Sequence, residues 1–377
     1  MTTTAPRTGE RTLPPLGRVF RSRAVVELKE FFRQREAVVF TLMLPVLLLV
    51  VFGYAASFDV TEIKTVVVGP DAQAAAERLP APFLVDRVEP ASTREDAVAT
   101  LRDGRAQAAI VTGGQPQALV DGADLFAARA AVSALRQAAA QAGQAVPEPE
   151  VLFNPDLETS VIMVPGLVGV ILVFIGVVAT SLGVVRERQA GTLEQLAVMP
   201  FRPADVFVGK ILPYFLIAAI DLTVITIVGN TLFDVPFRGS VLTLALGATL
   251  FLFVTLGLGV LISTVSQNQG QAIQLAFMTV LPQILLSGLL FPLHSMAAGV
   301  RWIGYLLPLT YFIQLSRGVM VRGTPIDALV LPLAMLAVLG VAVFGLSLVR
   351  FRRDLAPSGR ARSRAAEEST TVPAGAR

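Results

Sequence analysis

Residues 161–184 read VIMVPGLVGVILVFIGVVATSLGV, and no charge interrupts them. A bilayer core takes roughly 20 consecutive apolar residues as a helix. Pro165 falls inside this run, which a membrane helix tolerates better than a soluble one. Working outward, runs of similar length recur downstream at about 211–230, 241–264, 272–292 and 328–350, and upstream at 38–58. Composition agrees. Of the 377 residues 54% are hydrophobic and 16% charged, against about 25% charged in a soluble domain. The chain reads as a polytopic α-helical membrane protein with six transmembrane helices. The first, at 38–58, is too long for the apolar core of a signal peptide and follows too long a flank, so it reads as an uncleaved anchor.

Between the first and second spans, residues 59–157 change character. Charges return at Asp71, Glu77, Arg87, Glu95, Asp96, Arg102 and Asp124. Val66-Val67-Val68 and Ala108-Ala109-Ile110-Val111 are short strand candidates. Ser92-Thr93-Arg94-Glu95 fits a capping box, and Gly104 fits the stop of the helix it opens. Asp124 to about Ala142 predicts a longer helix. Alternating strands and helices predict a small α/β domain, left by way of Pro147 and Pro149. Ahead of the first span, 1–37 is a polar segment whose residues 16–36 form an amphipathic pattern. Leu16, Phe20, Ala24, Leu28 and Phe31 recur at near-helical spacing and suit the membrane interface. The tail, 351–377, is polar.

Orientation follows from Lys and Arg in short loops. The N-terminal segment is rich in Arg, the 185–210 loop holds Arg186, Arg188, Arg202 and Lys210, and the tail opens on Arg350, Arg352 and Arg353. With six spans these fall on one side, the cytoplasm. Both termini are then cytoplasmic and 59–157 is external; only three lysines (Lys29, Lys64, Lys210) beside abundant Arg and Ala point to a GC-rich bacterial genome, hence a bacterial inner membrane. One segment strains the rule: 293–326 carries Arg301, Arg317 and Arg322 on the external side.

Several chemistries are excluded. The chain has no Cys, hence neither disulfide nor thiolate, and a single histidine, His294, at the external boundary. No Asp/Glu cluster suggests a metal. The basic pI reflects charges beside spans, not a nucleic-acid surface. No Gly-x-x-x-x-Gly-Lys-Ser/Thr run occurs; only Lys210 follows a glycine, and Ile211 comes next, so the chain has no P-loop. It holds no cofactor of its own.

The loop at 185–210 is the most informative stretch. It reads Arg186-Glu187-Arg188-Gln189-Ala190-Gly191-Thr192-Leu193-Glu194-Gln195-Leu196-Ala197-Val198-Met199-Pro200. Thr192 and Gln195 form a second capping box, and the short helix it opens ends near Pro200. The loop is therefore a structured elbow. With Gly209-Lys210-Ile211-Leu212-Pro213-Tyr214, Val235-Pro236-Phe237-Arg238-Gly239-Ser240, Ser287-Gly288, Phe291-Pro292-Leu293-His294-Ser295-Met296 and Pro308-Leu309-Thr310-Tyr311 before Arg317-Gly318, it resembles the ABC-2-type permeases, the membrane subunits of bacterial ABC exporters. The likeness covers nearly the whole chain and is strongest to the drug and antibiotic branch.

That resemblance implies a mechanism. Two permeases, identical or paralogous, form the pathway in the lipid. Separate ATP-binding subunits hold ATP and Mg and dimerise below. The elbow helix at about 192–199 docks on the ATPase, with Glu187, Arg188, Gly191, Thr192, Glu194 and Gln195 as the coupling residues. The cargo is a lipophilic drug, antibiotic or lipid moved out of the cell. The segment 293–326 forms short re-entrant helices, and its three arginines are held by protein. Trp302, Tyr305 and Tyr311 suit that interface.

Polar groups inside spans remain. Asp221 lies near the middle of the third span, where a carboxylate is costly and faces protein or water. A substrate contact, a proton site and an interhelical hydrogen bond are all compatible with it. Gln274 and Gln283 in the fifth span either bond across helices or line a pathway. Two other classes fit parts of the pattern: a transporter driven by an ion gradient, and a membrane-anchored receptor acting through its external domain. Internal repeats would favour the first, and none is evident. The structured elbow argues against the second.

Overall fold

The computed structural model describes residues 62–142, 149–190 and 203–355, with single positions at Val46, Leu49, Gly53 and Val60. The amphipathic segment at 16–36, most of the expected span at 38–58, residues 191–202 and the tail from 356 lie outside the described residues.

The first described unit is a five-stranded sheet flanked by helices. Its elements are β1 (Ile63–Val68), α1 (Ala72–Arg78), β2 (Phe83–Glu89), α2 (Arg94–Arg102), β3 (Ala108–Val111), β4 (Gln117–Asp121), α3 (Leu125–Ala142) and β5 (Glu150–Leu152). The strand order is β2-β1-β3-β4-β5. β1 runs parallel to β2 and β3, while β3 and β4 pair antiparallel, Ala108 facing Val120. β1 is buried at every position but Lys64, because helices cover both sides of the sheet. One face packs Ile63, Ala108 and Val120 against Ala128, Ala131 and Leu135 of α3. The other packs Val66, Val68 and Ala109 against Ala97 and Leu101 of α2. The capping box of α2 falls one residue later than the sequence reading put it. Thr93 Oγ1 accepts from Asp96 N, and Asp96 Oδ2 accepts from Thr93 N at 2.8 Å. Gly104 follows α2 with φ +70°.

The second unit is a bundle of apolar helices. Among the described residues four are long and apolar enough to cross a membrane: Thr159–Gln189, Ile211–Leu232, Val241–Val265 and Ile326–Arg350. The first comprises α4 (Thr159–Val173), a π turn at Phe174–Ala179 and α5 (Thr180–Gln189). The others belong to α6 (Pro203–Leu232), α7 (Val241–Val265) and α11 (Val330–Leu355). α8 (Gln269–Leu286) packs among them but stops short of the expected 272–292. Ser287 caps it and Gly288 adopts φ +85°, a left-handed conformation that glycine takes without cost. The apolar run Leu289-Leu290-Phe291 continues past the turn, so hydropathy alone carries the span too far.

Residues 293–326 are short pieces: a 3-10 turn at Leu293–Ser295, α9 (Ala298–Gly304), α10 (Pro308–Arg317), a π turn at Gly318–Arg322 and a 3-10 turn at Ile326–Leu329. Pro308 opens α10 at its first position, where its missing N–H costs nothing. α10 plugs into the bundle, with Phe312 stacked on Phe251 of α7 at 4.5 Å between ring centroids. Where α7 crosses the first span, both backbones are bare. A Cβ at Gly259 would stand 2.5 Å from the Gly176 carbonyl oxygen, a separation only glycine allows.

Candidate functional site

The bundle has two polar ends. At one, α5 runs out through Arg186 to Gln189. Arg188 Nη1 donates to the Ser266 carbonyl at 3.2 Å. Gln269 Nε2 donates to Gln189 Oε1 at 3.0 Å. These bonds tie the elbow to the turn between α7 and α8. That turn is itself organised by amides. Asn268 Oδ1 accepts from Gln271 N at 2.9 Å and Gln271 Oε1 from Gln267 N at 2.6 Å. Asn268 is therefore the N-cap of α8, and Gln271 closes back on the residue before it. Glu187 and Arg188 both sit, half-buried, on the last turn of α5. Gly191, Thr192, Glu194 and Gln195 lie outside the described residues. Sequence reasoning missed Gln189 and Ser266, because nothing local marks a pairing 78 or 80 residues apart.

The other end joins the bundle to the sheet. Asp121, at the end of β4, is fully buried. Its Oδ2 accepts from Arg322 Nε at 2.9 Å and lies 2.7 Å from Nη2, while Oδ1 accepts from Ala123 N at 2.9 Å. Burial pushes the Asp121 carboxyl above its usual range, against the pull of Arg322. The carboxylate is thus tenable because the guanidinium is there. Thr324 Oγ1 donates to the Arg102 carbonyl at 2.6 Å, and Arg238 Nη1 donates to Phe153 O at 3.0 Å and Val321 O at 2.9 Å. Arg301 donates through Nη2 to His294 O at 2.8 Å and Met296 O at 3.1 Å. Arg317 donates to Ile162 O and Gly288 O, each at 3.3 Å. All three arginines that strain the charge rule are held by protein groups, which removes them from the set that reports topology.

The intramembrane polar groups fare differently. Gln283, 1% exposed, donates through Nε2 to Thr279 O on its own helix at 3.3 Å, while its Oε1 is buried without a partner. Gln274 is half-buried on α8. Asp221 is half-buried midway along α6 and makes no hydrogen bond or ion pair among the described residues. Its neighbours one turn away, Ile217 and Val224, are exposed. No group of three or more His, Asp or Glu able to hold a metal occurs among the described residues.

Comparison with known proteins matches the family model described as ABC-2 family transporter protein to residues 35–349. The "Probable multidrug ABC transporter permease YbhS" of Escherichia coli is 34% identical over 204 residues, 54% of each chain. The "Inner membrane transport permease YhhJ" of Escherichia coli is 30% identical over 212 residues, 55% of this chain and 56% of that one. The "ABC transporter G family member 20" of Dictyostelium discoideum is 29% identical over 196 residues, 52% of this chain and 27% of that one. The chain thus spans about half the length of the bacterial relatives it matches. With an apolar bundle, an elbow tied to the neighbouring turn and a family model covering most of its length, the chain belongs to the ABC-2 family of transporter proteins.

Proposed function

We propose that the chain is the transmembrane permease of an ATP-driven exporter that moves a lipophilic compound out of a bacterial cell. A separate ATP-binding subunit, holding ATP and Mg, supplies the power. The relatives named as multidrug permeases support the cargo class, and the missing P-loop supports a partner ATPase. The observation that carries the reading is the pair of bonds from Arg188 and Gln189 to the α7–α8 turn. A push on the elbow then reaches two helices at once, as transmission to a transport pathway requires. The elbow end is cytoplasmic and the sheet external, both termini being inside.

A second permease copy covers α6 in this reading. That helix exposes Leu216, Ile217, Ile220, Val224 and Ile227 around Asp221. A carboxylate amid such a face is costly against lipid, and a partner helix or a wet pathway between two copies relieves it. Asp221, Gln274 and Gln283 are then pathway or interhelical groups.

The test is coupling. With the ATPase subunit co-expressed, Glu194→Ala and Gly191→Pro should each lower transport and transport-stimulated ATP hydrolysis together, at normal membrane insertion. Losing a charged contact at such an interface costs about 2–5 kcal/mol. Wild-type transport by both variants would show that the elbow is only a spacer.

A further inference from the structure

Where the sheet meets the bundle, a cavity of about 160 Å³ opens, well above the roughly 10–15 Å³ that one water needs. Its lining brings together the first turn of α3, Ser287 and Gly288 after α8, His294, and Arg317. Arg322 on the same wall is neutralised by Asp121. Arg317 is not: it forms no ion pair among the described residues, and its Nη2 has no hydrogen-bond partner there. The residue is half-buried, and a guanidinium nitrogen left without an acceptor there is costly.

Other polar groups around the cavity also lack partners. Ser287 is 1% exposed and its Oγ has no partner, and the buried His294 Nε2 has none either. α3 is 18 residues long and turns its N-terminal end, Leu125 and Phe126, to the cavity, with Asp124 as the acidic cap of that end. The one carboxylate in the lining, Asp124, faces Arg317 across the cavity without pairing with it, and its hydrogen bonds go to neutral amides. Its Oδ1 accepts from Ala127 N at 3.2 Å and its Oδ2 from Gln107 Nε2 at 2.7 Å. Ile162, Leu293 and Ile313 add an apolar stretch of wall, and Gln314 adds an amide.

We propose that this cavity seats a phosphate-type oxyanion, carried as the head of an amphiphile, with Arg317 as its counter-ion and Ser287 and His294 as hydrogen-bonding partners. A guanidinium with a free edge suits a tetrahedral oxyanion, and the apolar wall suits the chain attached to it. The site lies outside the elbow and Asp221, so it is independent of the export reading.

The experiment is binding to the full chain in neutral maltoside micelles, followed by calorimetry, with dodecyl phosphate, dodecanol and inorganic phosphate as probes. Dodecyl phosphate should bind saturably and more tightly than dodecanol. Arg317→Gln should weaken it on the order of tenfold or more, and Ser287→Ala about fivefold. Ser287→Ala removes a hydroxyl without partners, so it keeps the test alive should Arg317→Gln fail to fold. Inorganic phosphate binding as tightly, with the same two losses, supports the oxyanion site and identifies free phosphate as the occupant. Dodecyl phosphate binding no better than dodecanol, or unaffected by the substitutions in folded protein, overturns the proposal. The assay contains no ATPase and no transport step, so its failure leaves the permease reading standing.

Discussion

The two polar ends of the bundle are fastened in different ways. The sheet end is locked by a desolvated ion pair, Asp121 with Arg322, backed by Thr324 on Arg102 and by Arg238 on Phe153 and Val321. At the elbow end the bonds include a guanidinium on a carbonyl, part-buried, and an amide on an amide, exposed, with no desolvated ion pair of the Asp121 kind among the described bonds. Buried charged bonds are lost at high cost when one partner goes, and surface ones at low cost. One end is therefore built to stay put, while the other can exchange its bonds for those of a partner. An unevenness of this kind is what a transmission needs: a fixed frame on one side and a cheaply displaced lever on the other.

The largest expected effect breaks the lock. Arg322→Ala leaves a buried carboxylate facing nothing, and should cost about 3–5 kcal/mol, read as a fall in the thermal midpoint of the purified protein. The double change Asp121→Leu with Arg322→Met should restore most of it, since an apolar pair of similar volume avoids the desolvation. A double variant as unstable as the single one would refute the ion-pair account. Next in size is the effect at the other end. Arg188→Ala should cost about 1.5–3 kcal/mol, less than Arg322→Ala, yet lower ATPase-coupled transport clearly. If it unfolds the protein as badly as Arg322→Ala, the two ends are not fastened differently and the contrast fails. The smallest effect is that of Thr324→Val, which removes the hydroxyl bonded to Arg102 and should cost about 1 kcal/mol.

Much of the bundle was legible in sequence because a bilayer imposes a length and an apolar composition that few other structures share. Residues 161–184, 211–230 and 241–264 declare themselves for that reason. The end of α8 was not legible. Leu289-Leu290-Phe291 is as apolar as the helix before it, and only the left-handed Gly288 marks the turn. The anomaly of Arg301, Arg317 and Arg322 was visible as a misfit, but the acceptors of Arg317 and Arg322 on distant segments were not. The cavity beside Arg317 was hidden altogether. It assembles Ser287, His294, Leu125 and Arg317 from four segments, and no local spacing brings them together. Asp121 read as one charge among several in 59–157, since only its burial against Arg322 sets it apart.

The π turn at Phe174–Ala179 has a geometric corollary. Its i→i+5 bonds accommodate one residue more than the α-helix would, and each α-helical residue advances the wheel by about 100°. A helical wheel drawn from Thr159 therefore loses its phase at Phe174. The face that Arg188 shows to Ser266 is set by this surplus residue as much as by the sequence of α5. Deleting Val178 would close the turn into a regular helix while keeping the close approach of Gly176 to Gly259. It would nevertheless swing Arg188 and Gln189 by about a quarter-turn away from Ser266 and Gln269.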